Sequence, residues 1–324
     1  ISVTSIRGSE QVKELQRFMH HLEREGQLNR SLEYLPDDDE LAERQASGRG
    51  FTRPELAVIT AYGKMVLKEE LLDEAIMADP FHARSLMNAF PKPLQEPYAE
   101  AMEAHPLRAQ IIATRLANNI VNDMGPNFVL RKQEATGATV AEIATAYVVA
   151  RECFRVEELW EQIEALNNKV PAESQNEILF QLRRMVRRAT RWFLRHRNPS
   201  LHSIQEHLAF YMPAFDDLRE NCLNYMTDDE ANVLRETASK YEELGYPAKI
   251  AKQVACLSTV FSAMDVAEIA HDTEQDFDTV GRLYFFLGAK LNLHWFLNQI
   301  NAQPVANHWQ ALARAAFREE LDWQ

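Results

Sequence analysis

One stretch constrains this chain more than any other. Residues 171–197 carry an uninterrupted helical pattern, long enough at about 1.5 Å per residue to cross a whole domain. At about 100° per residue, Ile178, Leu182, Met185, Val186, Ala189, Trp192 and Phe193 fall in one stripe, the mark of a helix laid against a core. Arg183, Arg184, Arg187, Arg188, Arg191 and Arg195 take the opposite side. The chain as a whole is acidic, with 35 Lys+Arg against 48 Asp+Glu and a net charge of -13. A concentration of positive charge on one helix face therefore calls for water or for a partner. A solvated face is the ordinary reading of such a run. The alternative is a contact surface made of Phe180, Arg184, Arg187, Arg188, Arg191 and Arg195.

The rest of the chain supports a helical fold. Only 10 Gly and 13 Pro occur in 324 residues, too few for the turns of a many-stranded sheet. The length exceeds the usual size of a single core. The expected fold is all-α: one large multi-helix bundle, or two apposed helical subdomains, residues 1–170 and 171–324, the second organised on the long helix. Cys153, Cys222 and Cys256 are odd in number, far apart and set in apolar helical pattern, so neither a disulfide scaffold nor a zinc ribbon is supported. No run of about 18 apolar residues is present. A soluble, cytoplasmic protein with no membrane partner is expected, and the acidic balance argues against nucleic acid, whose phosphates demand a basic surface. The chain opens on Ile1 without cap or leader signal, which reads as a piece of something longer.

Helix starts are written clearly. Ser9 can cap a first helix, and Asp37, Asp38, Asp39 and Glu40 read as a helix start facing the positive end of the dipole, not as a calcium loop. Thr52-Arg53-Pro54-Glu55, Thr139-Val140-Ala141-Glu142 and Thr227-Asp228-Asp229-Glu230 are capping boxes. The helix after Thr52 is expected to break near 68–70, and the one after Asn198-Pro199 at Pro213. Asn118, Asn119 and Asn122 stand beside an apolar face and are expected to hydrogen-bond to a neighbouring element. Glu157, Glu158, Glu161 and Glu164 form an acidic face, the expected counterweight to the arginines. The block 283–288 is apolar on nearly all sides, as a central helix should be. A last amphipathic helix is expected over 308–323.

No constellation amounts to an active site. Gly48-Arg49-Gly50 lacks both the third glycine and the preceding strand of a dinucleotide fingerprint. Glu268 and His271 have the Glu-x-x-His spacing of di-iron bundles, but those sites need two such pairs. His20 and His21 point about 100° apart on a helix and suit one ion poorly. The catalytic, cofactor-binding and metal-ligating sets are therefore all expected to be empty.

The residues do carry a resemblance. Leu28-Asn29-Arg30 with Leu35-Pro36, Phe51-Thr52-Arg53-Pro54-Glu55-Leu56-Ala57-Val58 with Ala61-Tyr62, and His105-Pro106-Leu107-Arg108 with Ile111-Ile112-Ala113-Thr114 closely resemble the region after the catalytic domain in the large bacterial NAD-specific glutamate dehydrogenases. Asn119-Ile120-Val121-Asn122, Ala146-Tyr147 with Ala150-Arg151, Leu159-Trp160, and Trp309-Gln310 with Ala313-Arg314 continue it. Gly63 departs from the pattern, where a better helix former is more usual. The resemblance implies a parent enzyme that converts L-glutamate, NAD and water to 2-oxoglutarate, ammonia and NADH. Its catalytic residues and NAD site would lie upstream. This chain would be a non-catalytic helical C-terminal domain, its partners the catalytic domain of the same polypeptide and other subunits of a homo-oligomer. Two other readings are a free-standing helical adaptor and, further off, a metal-dependent helical hydrolase.

Overall fold

The computed structural model describes residues 8–196 and 202–304, together with 309–310, 313–314 and 316–317. Among the described residues there are 18 α-helices and no strand, the all-α class that the scarcity of glycine and proline predicts. The chain divides into two compact units, Ile1–Phe210 and Tyr211–Gln324. In the first lie α1 (Gly8–Arg24), α2 (Asp38–Ala46), α3 (Arg53–Glu70), α4 (Glu74–Ala78), α5 (Phe81–Met87), α6 (Lys92–Gln95), α7 (Ala99–Glu103), α8 (Arg108–Met124), α9 (Phe128–Thr136), α10 (Val140–Cys153), α11 (Val156–Glu164) and α12 (Ala172–Arg195). Helix α13 (Ile204–Asn221) runs across the division. The second unit continues through a 3-10 turn (Cys222–Asn224), α14 (Asp228–Glu243), α15 (Ala248–Val260), α16 (Ala263–Asp272), α17 (Phe277–Lys290) and α18 (Leu293–Ala302).

The starts follow from capping chemistry. Thr52, Thr139 and Thr227 each accept from the third backbone N–H of their helix, while Glu55, Glu142 and Glu230 reach back to the cap, satisfying two orphan donors at once. Asp37 accepts from Glu40 N at 2.9 Å and opens α2. Helix α1 begins at Gly8, so Ser9 stands inside its first turn. Helix α3 runs unbroken to Glu70, and the break expected near 68–70 is its end, capped by Leu71.

Two expectations about helix interiors are corrected. Pro213 lies inside α13 without interrupting it. A mid-helix proline loses a hydrogen bond and clashes with the turn before, roughly 3 kcal/mol. Tyr211, Ala214, Phe215 and Leu218 are all buried around it, and their burial outweighs that cost. The apolar block 283–288 is not a central helix. In α17 only Val280 and Gly281 are buried, whereas Leu283, Phe286, Leu287 and Leu291, with Trp295 and Phe296 of α18, are between 45 and 59 % exposed.

The helix buried on nearly all sides is α10, with Ile143, Ala144, Ala146, Tyr147, Val148, Val149, Ala150 and Cys153 inside. Its alanines let the long helix approach closely, and α12 lays Ile178, Leu182, Met185, Val186, Ala189, Trp192 and Phe193 inward, the stripe predicted from spacing. Gln175 joins the start of α12 to α11 by donating to the Ile163 carbonyl at 2.8 Å. The long helix thus belongs to the core of the first unit, and position 170/171 falls between two helices of that unit. A second cluster, Val12, Leu15, Phe18, Met19, Leu22, Leu41, Leu56 and Ile59, gathers α1, α2 and α3. The helix expected over 308–323 lies mostly outside the described residues.

Candidate functional site

The outward face of α12 is laid out by helix geometry. Phe180, Arg184, Arg187, Arg188, Arg191 and Arg195 fall within about 100° of one another around the axis, one stripe. Arg184, Arg187 and Arg195 are exposed, and Phe180, Arg188 and Arg191 are half-buried along it. Arg183, at the stripe's edge, turns inward and donates to the Met124 carbonyl at the end of α8. There Gly125 holds φ +96°, and a side chain would collide with the Arg183 guanidinium.

Further positive charge converges on the same place. Lys132 of α9, buried beside the Phe128 ring, donates to the Arg187 carbonyl at 2.8 Å. Crowding by the surrounding protein atoms, then the like charges of Arg131, Arg183 and Arg184, lower the Arg187 pKa, but its side chain still reaches water and stays charged at neutral pH. Among the described residues no carboxylate pairs with Arg184 or Arg187. One carboxylate that reaches this cluster is Glu14 of α1, bound to Arg131 at 2.5 Å.

Three of the four glutamates expected as the counterweight are engaged elsewhere. Glu157 binds Arg151 at 2.6 Å, Glu158 stands 3.9 Å from Arg155, and Glu164 accepts from the Trp160 indole at 2.9 Å. The reason is proximity: α11 follows α10 through one tight turn, so its carboxylates meet the cations at the end of α10 first. Asn118, Asn119 and Asn122 also depart from expectation. Among the described residues none makes a side-chain hydrogen bond; Asn122 is exposed and the other two are half-exposed, so water satisfies them.

The polar group that α8 turns toward its neighbours is the next residue, the half-buried Asp123. Tyr147 of α10, with 0 % exposure, donates to Asp123 Oδ2 at 2.5 Å, and Arg151 lies one turn further on, its Nε 3.5 Å from the same oxygen. Arg151 also binds Glu152 and Glu157, making a chain of alternating charge between α8, α10 and α11. Burial pushes the Asp123 carboxyl above its ordinary range, against the pull of Tyr147 and Arg151. A hydroxyl so enclosed has no open face toward a substrate. The network fixes helices, and only the i, i+4 pairing of Tyr147 with Arg151 hints at it in the sequence.

The weaker metal candidates are also taken up by protein groups. Glu268 accepts from the Tyr211 hydroxyl, and His20 Nε2 lies 2.9 Å from Asp38. Among the described residues no three His, Cys, Asp or Glu side chains converge on one point.

Comparison with known proteins places the chain. The family described as glutamate dehydrogenase, C-terminal, matches residues 48–324. The chain belongs to that family. It is 40 % identical over its whole length to an NAD-specific glutamate dehydrogenase of Pseudomonas aeruginosa. Over 95 % of its length it is 38 % identical to one of Halomonas elongata, and over 91 % it is 29 % identical to one of Mycobacterium tuberculosis. The chain spans about a fifth of the length of these relatives: 20 %, 19 % and 18 %. Among the described residues of this glutamate dehydrogenase C-terminal region, no single helix is long and apolar enough to cross a membrane.

Proposed function

We propose that this chain is a non-catalytic helical domain of an NAD-specific glutamate dehydrogenase. In the parent, L-glutamate, NAD and water give 2-oxoglutarate, ammonia and NADH on the remaining part of the polypeptide. The domain packs on that part and on neighbouring subunits of a homo-oligomer, and NAD belongs to the parent's catalytic region, in a cytoplasmic setting. The observation that carries this reading is the match to dehydrogenases across the whole chain, over only a fifth of their length. An arginine stripe in which, among the described residues, no carboxylate pairs with Arg184 or Arg187, on a protein of net charge -13, supports a contact role for that face.

The test compares glutamate-dependent NADH formation by this chain with that of its parent polypeptide. Turnover by the parent alone is expected, and turnover by this chain would overturn the reading. For the interface, replacing Arg184, Arg188 and Arg191 together by Ala in the parent is expected to weaken assembly or lower turnover. If neither changes, the stripe is a solvated face.

A further inference from the structure

The second unit contains a cysteine pair that the sequence separates by 34 positions and the fold brings together. Cys222 stands in the 3-10 turn after α13 and Cys256 on α15, their sulfurs 2.7 Å apart, with 0 and 1 % exposure. Both are free thiols. A disulfide needs sulfurs about 2.05 Å apart, so only a short further approach separates this pair from a bond. Lys252, one turn before Cys256, holds its ammonium on the Glu220 carbonyl near the end of α13. The hydrogen bond with Cys256 and the nearby Lys252 charge lower the Cys222 pKa, against the effect of burial, so Cys222 is the readier of the two to lose its proton.

We propose that Cys222 and Cys256 are a redox modification site, a dithiol that a hydroperoxide converts to an intramolecular disulfide. In the first step the Cys222 thiolate attacks a peroxide oxygen. The O–O bond breaks, hydroxide leaves and takes up a proton, and Cys222 becomes a sulfenic acid. In the second the Cys256 thiol attacks the Cys222 sulfur: the S–S bond forms, the S–O bond breaks, and the leaving hydroxyl takes the Cys256 proton and departs as a second water. Two thiols and one hydrogen peroxide thus give one disulfide and two waters.

The position gives the bond a structural consequence. Three residues beyond Cys222, Tyr225 packs on the bare α-carbon of Gly281, where a side chain would come within 2.9 Å of its ring, and edge-on against Phe277. The link braces the turn on which α17 is seated.

The full-length parent protein is treated with hydrogen peroxide, alkylated and digested without reduction, and its peptides are read by mass spectrometry. The expected product is a Cys222 peptide joined to a Cys256 peptide, two hydrogens lighter than the pair of thiols and separated again by dithiothreitol, with Cys153 still a thiol. In a Cys256→Ser variant, Cys222 is expected to stop at the sulfenic acid and to be trapped by dimedone. If Cys222 and Cys256 are recovered from the peroxide-treated wild type as alkylated thiols, as sulfonic acids or joined to other partners, the proposal is overturned. The wild type carries the decisive measurement, so the proposal stands or falls on it even where the variant fails to fold.

Discussion

At the residue scale the informative groups are polar ones that the fold encloses. His82 is buried beside Phe81, and burial, reinforced by Arg108, lowers its pKa, against the pull of Asp79. The unfolded chain therefore takes up the imidazole proton at a higher pH than the folded one. Stability from the neutral ring is complete above the unfolded value of about 6.5 and is lost as pH falls through the lowered folded value. Glu70, Asp123 and Glu152, raised mainly by burial, act in the opposite direction, so the readout is a difference. The drop in urea midpoint from about pH 7.5 to about pH 5.5, a window that brackets the ordinary imidazole value, should be larger in the wild type than in His82→Leu; equal drops would remove the assignment. At the Tyr147–Asp123 pair, Tyr147→Phe deletes the buried donor from a half-buried carboxylate, which should cost about 1 to 2 kcal/mol in denaturant unfolding. A loss below about 0.5 kcal/mol, the low end for a single hydrogen bond, would mean that water replaces the hydroxyl. Neither group could be singled out from sequence, because burial of a lone histidine or aspartate is decided by which helices happen to cover it.

At the scale of the element, the sequence is most legible where the signal is local. Three capping boxes, the apolar stripe of α12 and the Asp37 start depend on residues within one or two turns of each other, and they stand as the spacing predicts. Pro213 and the block 283–288 depart from their spacing because their outcome is set by distant partners: a proline can be outvoted by packing, and an apolar helix can be left uncovered. Gly63 shows the same point in miniature. By propensity a glycine inside α3 costs about 0.5 to 1 kcal/mol against alanine, and replacing it should help. In the fold a side chain there would meet Pro126 Cβ at 2.8 Å, in the turn that follows α8. Packing against backbone leaves no flexible neighbour to yield, and overpacking of this kind costs about 1 to 3 kcal/mol. Gly63→Ala should therefore lower the unfolding midpoint; a rise would show that propensity wins.

At the scale of the whole molecule, two surfaces stand out, and the sequence discloses only one. The arginine stripe is readable because charge on a helix face survives any tertiary arrangement. The apolar face of α17 and α18 is not, since in sequence an uncovered apolar helix is identical to a core helix. Its side chains are about half exposed, so each contributes about half or less of the roughly 1.5 to 3 kcal/mol that full burial brings. Exposed apolar patches of this kind commonly mark contact surfaces. Replacing Phe286 and Leu287 together by Glu should then cost the isolated chain little, with a shift in thermal midpoint of no more than about 5 °C. It should also clearly reduce binding of a hydrophobic dye such as ANS, because the dye's apolar site is removed while the fold stays. In the parent the same pair should weaken assembly if the face is covered there, since two charges would be buried without partners. A collapse of the isolated chain's midpoint would instead identify these residues as core.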